Sequence, residues 1–240
     1  MTKPLIVITG ASSGIGAAIA KNFANAGHAL LLLARDLKAM EDLNLANSMC
    51  KSVDVTNAQA LKEAIEQAEE KYGKTECIIN CAGLMLLGDV ADQEKSEWQN
   101  MFDVNVVGLL NGMQAVLNDM KARNSGTIIN ISSIAGRKTF PAHAAYCGTK
   151  FAVHAISENV REEVADSNVR VITIAPGAVE TPLLSHTTSQ EIKDNYEDWK
   201  TSMGGVLAPK DVADSVLFAF QQPQNVCIRE ILIAATRQQP

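Results

Sequence analysis

Leu5-Ile6-Val7-Ile8-Thr9-Gly10-Ala11-Ser12-Ser13-Gly14-Ile15-Gly16 is the stretch that decides the fold. Leu5 to Thr9 is short, apolar and rich in β-branched residues, and reads as a strand buried on both faces. Ala17 to Ala26 reads as a helix, and Gly27 ends it. Strand, glycine loop and helix in that order build a phosphate cradle. Gly10 permits the tight turn, Gly14 lets the backbone approach an anion, and Gly16 lets the helix pack close on the strand. Any tight strand-to-helix turn favours glycine, so the motif counts because both its flanks are as required.

Outward from this unit, apolar strand runs alternate with amphipathic helices. Strands are expected at Ala29–Leu33, ending at Asn80 from Cys77, at Gly126–Ser132, at Val169–Ala175 and at Ile228–Ala234. Helices are expected near 57–73, 95–121, 143–165 and 209–220. This alternation predicts an α/β fold, a Rossmann-like doubly wound parallel sheet with helices on both faces. At 240 residues and 47% hydrophobic, residues 1–240 are expected to form a single domain. The longest irregular stretch, 182–205, carries Leu183, Leu184, Tyr196, Trp199 and Met203 among polar residues and reads as a lid loop over a substrate.

Tyr146 and Lys150 stand four residues apart, on one face of the helix near 143–165, and Ser133 ends a predicted strand thirteen residues before the tyrosine. A lysine ammonium beside a phenol favours the phenolate. At ~4 Å and an effective dielectric near 20, the pair is worth about 4 kcal/mol, or up to ~3 pKa units. That brings the phenol within reach of acid–base work near neutrality. Alone, a Tyr-x-x-x-Lys is more often a surface pair; together with the glycine loop it is not.

These motifs give the chain a resemblance to the short-chain dehydrogenases/reductases that runs from Pro4 to the C-terminus. Thr9-Gly10-x-x-x-Gly14-x-Gly16 resembles that family's glycine motif, Asp54-Val55 its adenine-binding acid, and Asn80-Cys81-Ala82-Gly83 its Asn-Asn-Ala-Gly motif, with Cys81 in place of the second asparagine. Asn105 resembles its active-site asparagine, Ser133 its serine, and Pro176-Gly177-Ala178-Val179-Glu180-Thr181 its Pro-Gly motif. The resemblance implies a nicotinamide dinucleotide held by Gly10, Ser12, Ser13, Gly14, Ile15 and Gly16, by Arg35, Asp54 and Val55, by Asn80, Ala82 and Gly83, and by Pro176, Gly177, Val179 and Thr181. It implies Tyr146 as acid or base, Lys150 serving both Tyr146 and the nicotinamide ribose, Ser133 holding the substrate oxygen, and Asn105 positioning a water that links Lys150 to solvent. Thr181 and the Val179 backbone would hold the carboxamide. His28 and His154 read as structural or surface residues, while His143 is a weaker candidate for the pocket wall.

The choice of cofactor turns on Leu33-Ala34-Arg35-Asp36. The family's acid for the ribose hydroxyl of NAD would align with neutral Ala34. Arg35 follows, and a guanidinium can fork onto a phosphate, so NADP is favoured over NAD. Asp36 is a rival acid for the ribose, but reads better as the N-cap of a short helix.

Composition narrows the remaining possibilities. A net charge of −6 disfavours nucleic-acid and anionic-membrane partners. No apolar run nears the ~20 residues of a membrane span. Five cysteines without a C-x-x-C pair suit free thiols in a cytoplasmic protein, and no metal site is expected. The expected partner is a small carbonyl or alcohol substrate. Leu84-Met85-Leu86-Leu87 suggests an apolar wall, whereas Arg137 and Lys138 could attract a carboxylate. The ending Ile228 to Gln238 resembles an NADP-dependent subgroup acting on small hydroxy acids and serine-like compounds. Two other classes compete. A catalytically silent NADP(H)-binding regulator need not keep Asn105, Ser133, Tyr146 and Lys150 together. A serine hydrolase using Ser133 lacks the G-x-S-x-G elbow. Apolar positions Val106, Leu110, Met113 and Leu117, and Ala144, Cys147, Phe151 and Ala155, fall at helical spacings. By the resemblance they would pack helices across a two-fold axis, and with a second interface at the final strand would give a homotetramer.

Overall fold

A computed structural model describes residues 3–238. Its elements follow the order β1 (Lys3–Thr9), α1 (Gly14–Asn25), β2 (His28–Ala34), α2 (Leu37–Glu41), β3 (Ser48–Ser52), α3 (Ala58–Tyr72) and β4 (Thr75–Asn80). Then come α4 (Lys95–Phe102), α5 (Gly108–Ala122), β5 (Gly126–Ile131), α6 (Ala144–Glu163), β6 (Val169–Pro176), α7 (Gln190–Ser202), α8 (Pro209–Phe220) and β7 (Glu230–Ile233). The strands form one parallel sheet in the order β3-β2-β1-β4-β5-β6-β7. The order reverses between β1 and β4, which opens a crevice at the carboxyl ends of the strands.

The sequence pattern explains this layering. Every residue of β2 and β5 is buried, because helices cover both faces and leave no polar side for alternation. Leu5, Val7, Leu31, Ile78 and Ile128 point to one face, where α3, α5 and α6 pack through residues such as Leu61, Met113 and Val153. Ile6, Ile8, Leu30, Leu32 and Ile129 point to the other, against Ile19 and Phe23 of α1 and Val212 and Val216 of α8. Fully burying one such side chain stabilises the fold by about 1.5–3 kcal/mol. Local signals agree with the packing: Asp36 caps α2 by accepting from the Ala39 N–H at 3.0 Å, as expected, and Asn57 caps α3 in the same way.

Three expectations change. The helix read near 95–121 is two helices joined by a π turn at Asp103–Val107, which contains Asn105. The last strand is shorter than Ile228–Ala234 and spans Glu230–Ile233. The stretch 182–205 is not irregular. A 3₁₀ turn at Pro182–His186 leads into α7, whose first turn is capped by Ser189. Ile192, Tyr196, Trp199 and Met203 repeat at the helical period, a signal the polar residues between them obscured. Among the described residues no helix is long and apolar enough to cross a membrane.

Candidate active site

The site grows from the ends of β1 and β4. The Thr9 hydroxyl accepts from the Cys81 and Ala82 N–H groups at 3.0 and 3.2 Å, tying the two strand-end loops together. This close approach needs glycine. A Cβ on Gly10 would lie 2.7 Å from the Ala82 Cα, and one on Gly16 would lie 2.1 Å from the Gly10 carbonyl oxygen. Gly10 also has φ +67°, in the left-handed region.

The N-terminus of α1 is built to receive an anion. Ser13 is its N-cap residue, yet its side chain makes no capping bond, and the first turn holds no acidic residue. The free N–H groups and the positive end of the helix dipole are therefore left to whatever occupies the adjoining cavity. That cavity has a volume of about 700 Å³ and runs along the carboxyl ends of the strands. One end is walled by Arg35, Asp36, Asp54 and Val55, the middle by Ser12 to Gly16 and Ala82–Gly83, and the other end by Ser133, Tyr146 and Lys150. Pro176, Gly177, Val179 and Thr181 line it from the β6 side. Bonds from the Thr56 N–H and hydroxyl hold the Asp54 carboxyl below its usual range, and nearby Arg35 adds to the effect. A glycine cradle and an uncapped helix end fit the phosphates of a dinucleotide.

At the chemical end, α6 presents Tyr146 and Lys150 on one face, and the end of β5 presents Ser133. Ser133 faces the Tyr146 phenol and acts to lower its pKa, and its hydroxyl accepts from the Ala135 N–H at 3.1 Å. Lys150 departs from the expected geometry. Its ammonium donates to the Ile131 carbonyl at 3.1 Å and lies 5.7 Å from the centre of the Tyr146 ring, rather than bonding the phenol. Burial therefore dominates both groups. It pushes the Tyr146 phenol above its ordinary value, and it lowers Lys150 to about 8. The lowered phenol pKa expected from the four-residue spacing is thus not produced by this arrangement.

Two predicted site residues stand away from the cavity. Asn80 is buried in the sheet, where it donates to Asn130 at 2.9 Å, and Asn130 in turn donates to Ser157 at 2.9 Å. Asn80 is not among the residues that line the cavity. Asn105 bonds both backbone groups of Leu84, accepting at 2.7 Å and donating at 2.9 Å, and donates to Thr149 at 3.1 Å. It clamps the loop after β4 to α6 instead of lining the cavity. Cys81, in place of asparagine, does line it, with burial pushing its thiol up to about 12.

Other cavity residues escaped the sequence reading. His143, only weakly expected, stands at the N-cap of α6 among Phe140, Tyr146 and Tyr196. Burial lowers its pKa, and its Nδ1 lies 2.6 Å from the Pro141 carbonyl oxygen. Gln238 reaches back to accept from the Ala178 N–H at 2.9 Å. His154 is buried one turn beyond Lys150, bonding Ser132 at 2.9 Å and Glu230 at 3.1 Å, so it braces β7 against α6. Arg137 is tied to the same Glu230 and does not line the cavity.

Comparison with known proteins agrees with this geometry. A family profile described as short chain dehydrogenase matches residues 4–192. An uncharacterized oxidoreductase of Staphylococcus saprophyticus is 38% identical over 234 residues, 95% of each chain. An uncharacterized oxidoreductase of Listeria monocytogenes is 37% identical over 242 residues, covering 98% of this chain and 97% of that one. Among solved structures, the closed form of a serine dehydrogenase complexed with NADP+ superposes with a TM-score of 0.91 at 28% identity, covering 98% of this chain and 96% of the other. An alcohol dehydrogenase from the archaeon Thermococcus sibiricus, complexed with 5-hydroxy-NADP, gives 0.86 at 26% identity, covering 99% and 98%. The glycine cradle, the doubly wound sheet and these matches along nearly the whole length place the chain in the short-chain dehydrogenase/reductase family, as an oxidoreductase acting on CH–OH groups with NAD(P) as acceptor.

Proposed function

We propose that the chain is an NADP(H)-dependent oxidoreductase that interconverts a secondary alcohol or small hydroxy acid with its carbonyl form, with Tyr146 as the acid or base. The observation that carries this reading is the convergence of Ser133, Tyr146 and Lys150 on one end of the cavity whose middle is the glycine cradle. A bound nicotinamide would supply or accept the hydride. Tyr146 gives a proton to the carbonyl oxygen in reduction and takes it back in oxidation. Ser133 holds that oxygen by hydrogen bonding. Lys150 would hold the nicotinamide ribose. Asn105 acts as a positioning residue through Leu84 and Thr149. Thr181 and the Val179 backbone face the carboxamide, and residues 182–205 close over the substrate as a lid. The test is the absorbance of reduced nicotinamide, falling when NADPH or NADH is mixed with a panel of aldehydes and ketones, and rising when NADP+ or NAD+ is mixed with a panel of alcohols and hydroxy acids.

NADP preference is supported by Arg35 at the cavity rim, by neutral Ala34 beside it, and by the NADP named in the structural relatives. Arg35→Ala should weaken NADPH binding about tenfold or more, the worth of a charge-assisted phosphate contact, and leave NADH nearly unchanged. Calorimetric titration with both cofactors checks this, and equal affinities in the parent chain would refute it.

The working assembly in this reading is a cytoplasmic homotetramer. Phe151, Ala144 and Ala155 of α6 are exposed, as are Phe102, Val107 and Leu110 beside them, and together they offer an apolar face at the predicted first interface. Met113 and Cys147, assigned to that face from sequence, pack instead in the chain's own core. Phe218, Val226 and Leu232 are exposed around the last strand, where the second interface is expected. Light scattering at micromolar concentration should give about four times the chain mass of 25.7 kDa, and a mass near one chain would refute the assembly.

A further inference from the structure

Beyond Tyr146 the cavity holds a wall of a particular chemical character. Phe140, His143, Leu184, Ile192, Tyr196 and Trp199 line it, and Tyr196 meets Trp199 edge to face with ring centres 5.3 Å apart. From this wall we infer that the carbonyl substrate is uncharged and carries an aryl or bulky alkyl group, and that small carboxylate-bearing hydroxy acids are excluded. The inference rests on the proposed oxidoreductase reading and narrows it.

Charge as well as shape sets this selectivity. A carboxylate taken into such a wall needs a cation or several donors to offset its lost hydration. No cation at this end of the cavity is available, among the described residues, to receive one. Lys200 lines the wall, but Glu180 and Glu197 each hold it at 2.9 Å, so the group as a whole is net negative. Lys150 is buried and bonded to the Ile131 carbonyl. Arg137, a candidate from sequence, is held by Glu230 outside the cavity. Lys138, the other candidate, does not line it and lies 5.4 Å from the Phe140 ring centre. Burial lowers His143, which leaves its imidazole neutral at neutral pH. Its Nδ1 is engaged with the Pro141 carbonyl, so Nε2 is left as an acceptor, which a carboxylate cannot use. The polar groups this wall offers a ligand include the Asn195 amide, the Tyr196 hydroxyl and the His143 Nε2, all neutral, and burial lowers His186 as well. They suit an aromatic ring with a neutral polar substituent.

Ethyl benzoylformate and benzoylformate carry the same ring and ketone and differ in one charge and an ethyl group. Calorimetry with the NADP+-saturated protein reads binding without turnover, and NADPH oxidation reads turnover separately. The ester should bind about 30-fold or more tightly than the acid, and be reduced with a kcat/KM about 100-fold higher. Replacing Glu180→Gln and Glu197→Gln together frees Lys200. That variant should bind the acid at least about fivefold more tightly, with the ester unchanged within about twofold. Equal or tighter binding of the acid, binding of neither compound, or no gain for the acid in the double variant would each overturn the inference. Tight ester binding without turnover would uphold it, and would count against the proton route through Tyr146 instead.

Discussion

Tyr146→Phe should lower turnover by about 10³-fold or more while cofactor affinity stays within about threefold. The reason is that phenylalanine keeps the packing and removes only the hydroxyl that carries the proton. Tyr146 is 6% exposed and packs with Met85, Leu87, Met101, Ala135 and Cys147, contacts that a phenyl ring retains. Ser133 still accepts from the Ala135 N–H. Removing a positioned general acid typically costs 10²–10⁴-fold in rate, so roughly this loss is expected with little change in stability. Burial holds the phenol above its ordinary value, so it is protonated through neutral pH, which is the form that donates to a carbonyl. Steady-state rates in both directions, with cofactor titrations on the same protein, check the split between chemistry and binding. Substantial turnover by the variant would remove Tyr146 from its role.

Lys150→Met should lose function and gain stability together. Loss of the ammonium removes a charge-assisted bond to the ribose and with it the placing of the nicotinamide beside Tyr146, expected to cost about 10²-fold in turnover and about tenfold in cofactor affinity. The stability change has the opposite sign. Burial lowers Lys150 to about 8 from an ordinary 10.5, a penalty on the order of 3 kcal/mol near pH 7. Losing the bond to the Ile131 carbonyl offsets part of the relief, leaving a net gain of about 1–2 kcal/mol. The pH dependence follows from proton linkage. Below pH 8 both folded and unfolded chains are protonated at this lysine and the full penalty is present. Between about 8 and 10.5 the unfolded chain binds more protons, so the parent's stability rises with pH and the advantage of the methionine variant shrinks. Urea denaturation at pH 7 and pH 10 reads both effects. A methionine variant less stable than the parent by the same amount at both pH values would contradict this account.

What could be read from the chain and what could not divide along physical lines. Parallel strands covered on both faces must be apolar throughout, so Leu5–Ile8 and Leu30–Leu33 announce themselves without reference to any neighbour. The glycine loop is legible for the same reason: its constraints are local backbone constraints. The hydrogen-bond chain that holds the Asn80 side chain is not legible, because its partners, Asn130 and Ser157, lie on β5 and α6, far along the chain. The orientation of Lys150 was hidden likewise, since the Ile131 carbonyl that receives its proton lies nineteen positions earlier. The π turn around Asn105 inserts one extra residue per turn and leaves no compositional trace. Helix α7 was obscured for a different reason. Its apolar stripe is narrow and its remaining surface strongly polar, so a short amphipathic helix passes for a loop until its period is counted.

The most direct test of the central claim is carbonyl-dependent oxidation of reduced nicotinamide by the purified chain, followed by absorbance with NADPH and NADH side by side. The account predicts consumption only when an aldehyde or ketone is present, faster with NADPH than with NADH at equal concentration, and nearly abolished by Tyr146→Phe. Tight binding of NADPH with no carbonyl-dependent consumption across uncharged and acidic substrates alike would contradict it, and would identify the chain as a silent dinucleotide-binding regulator.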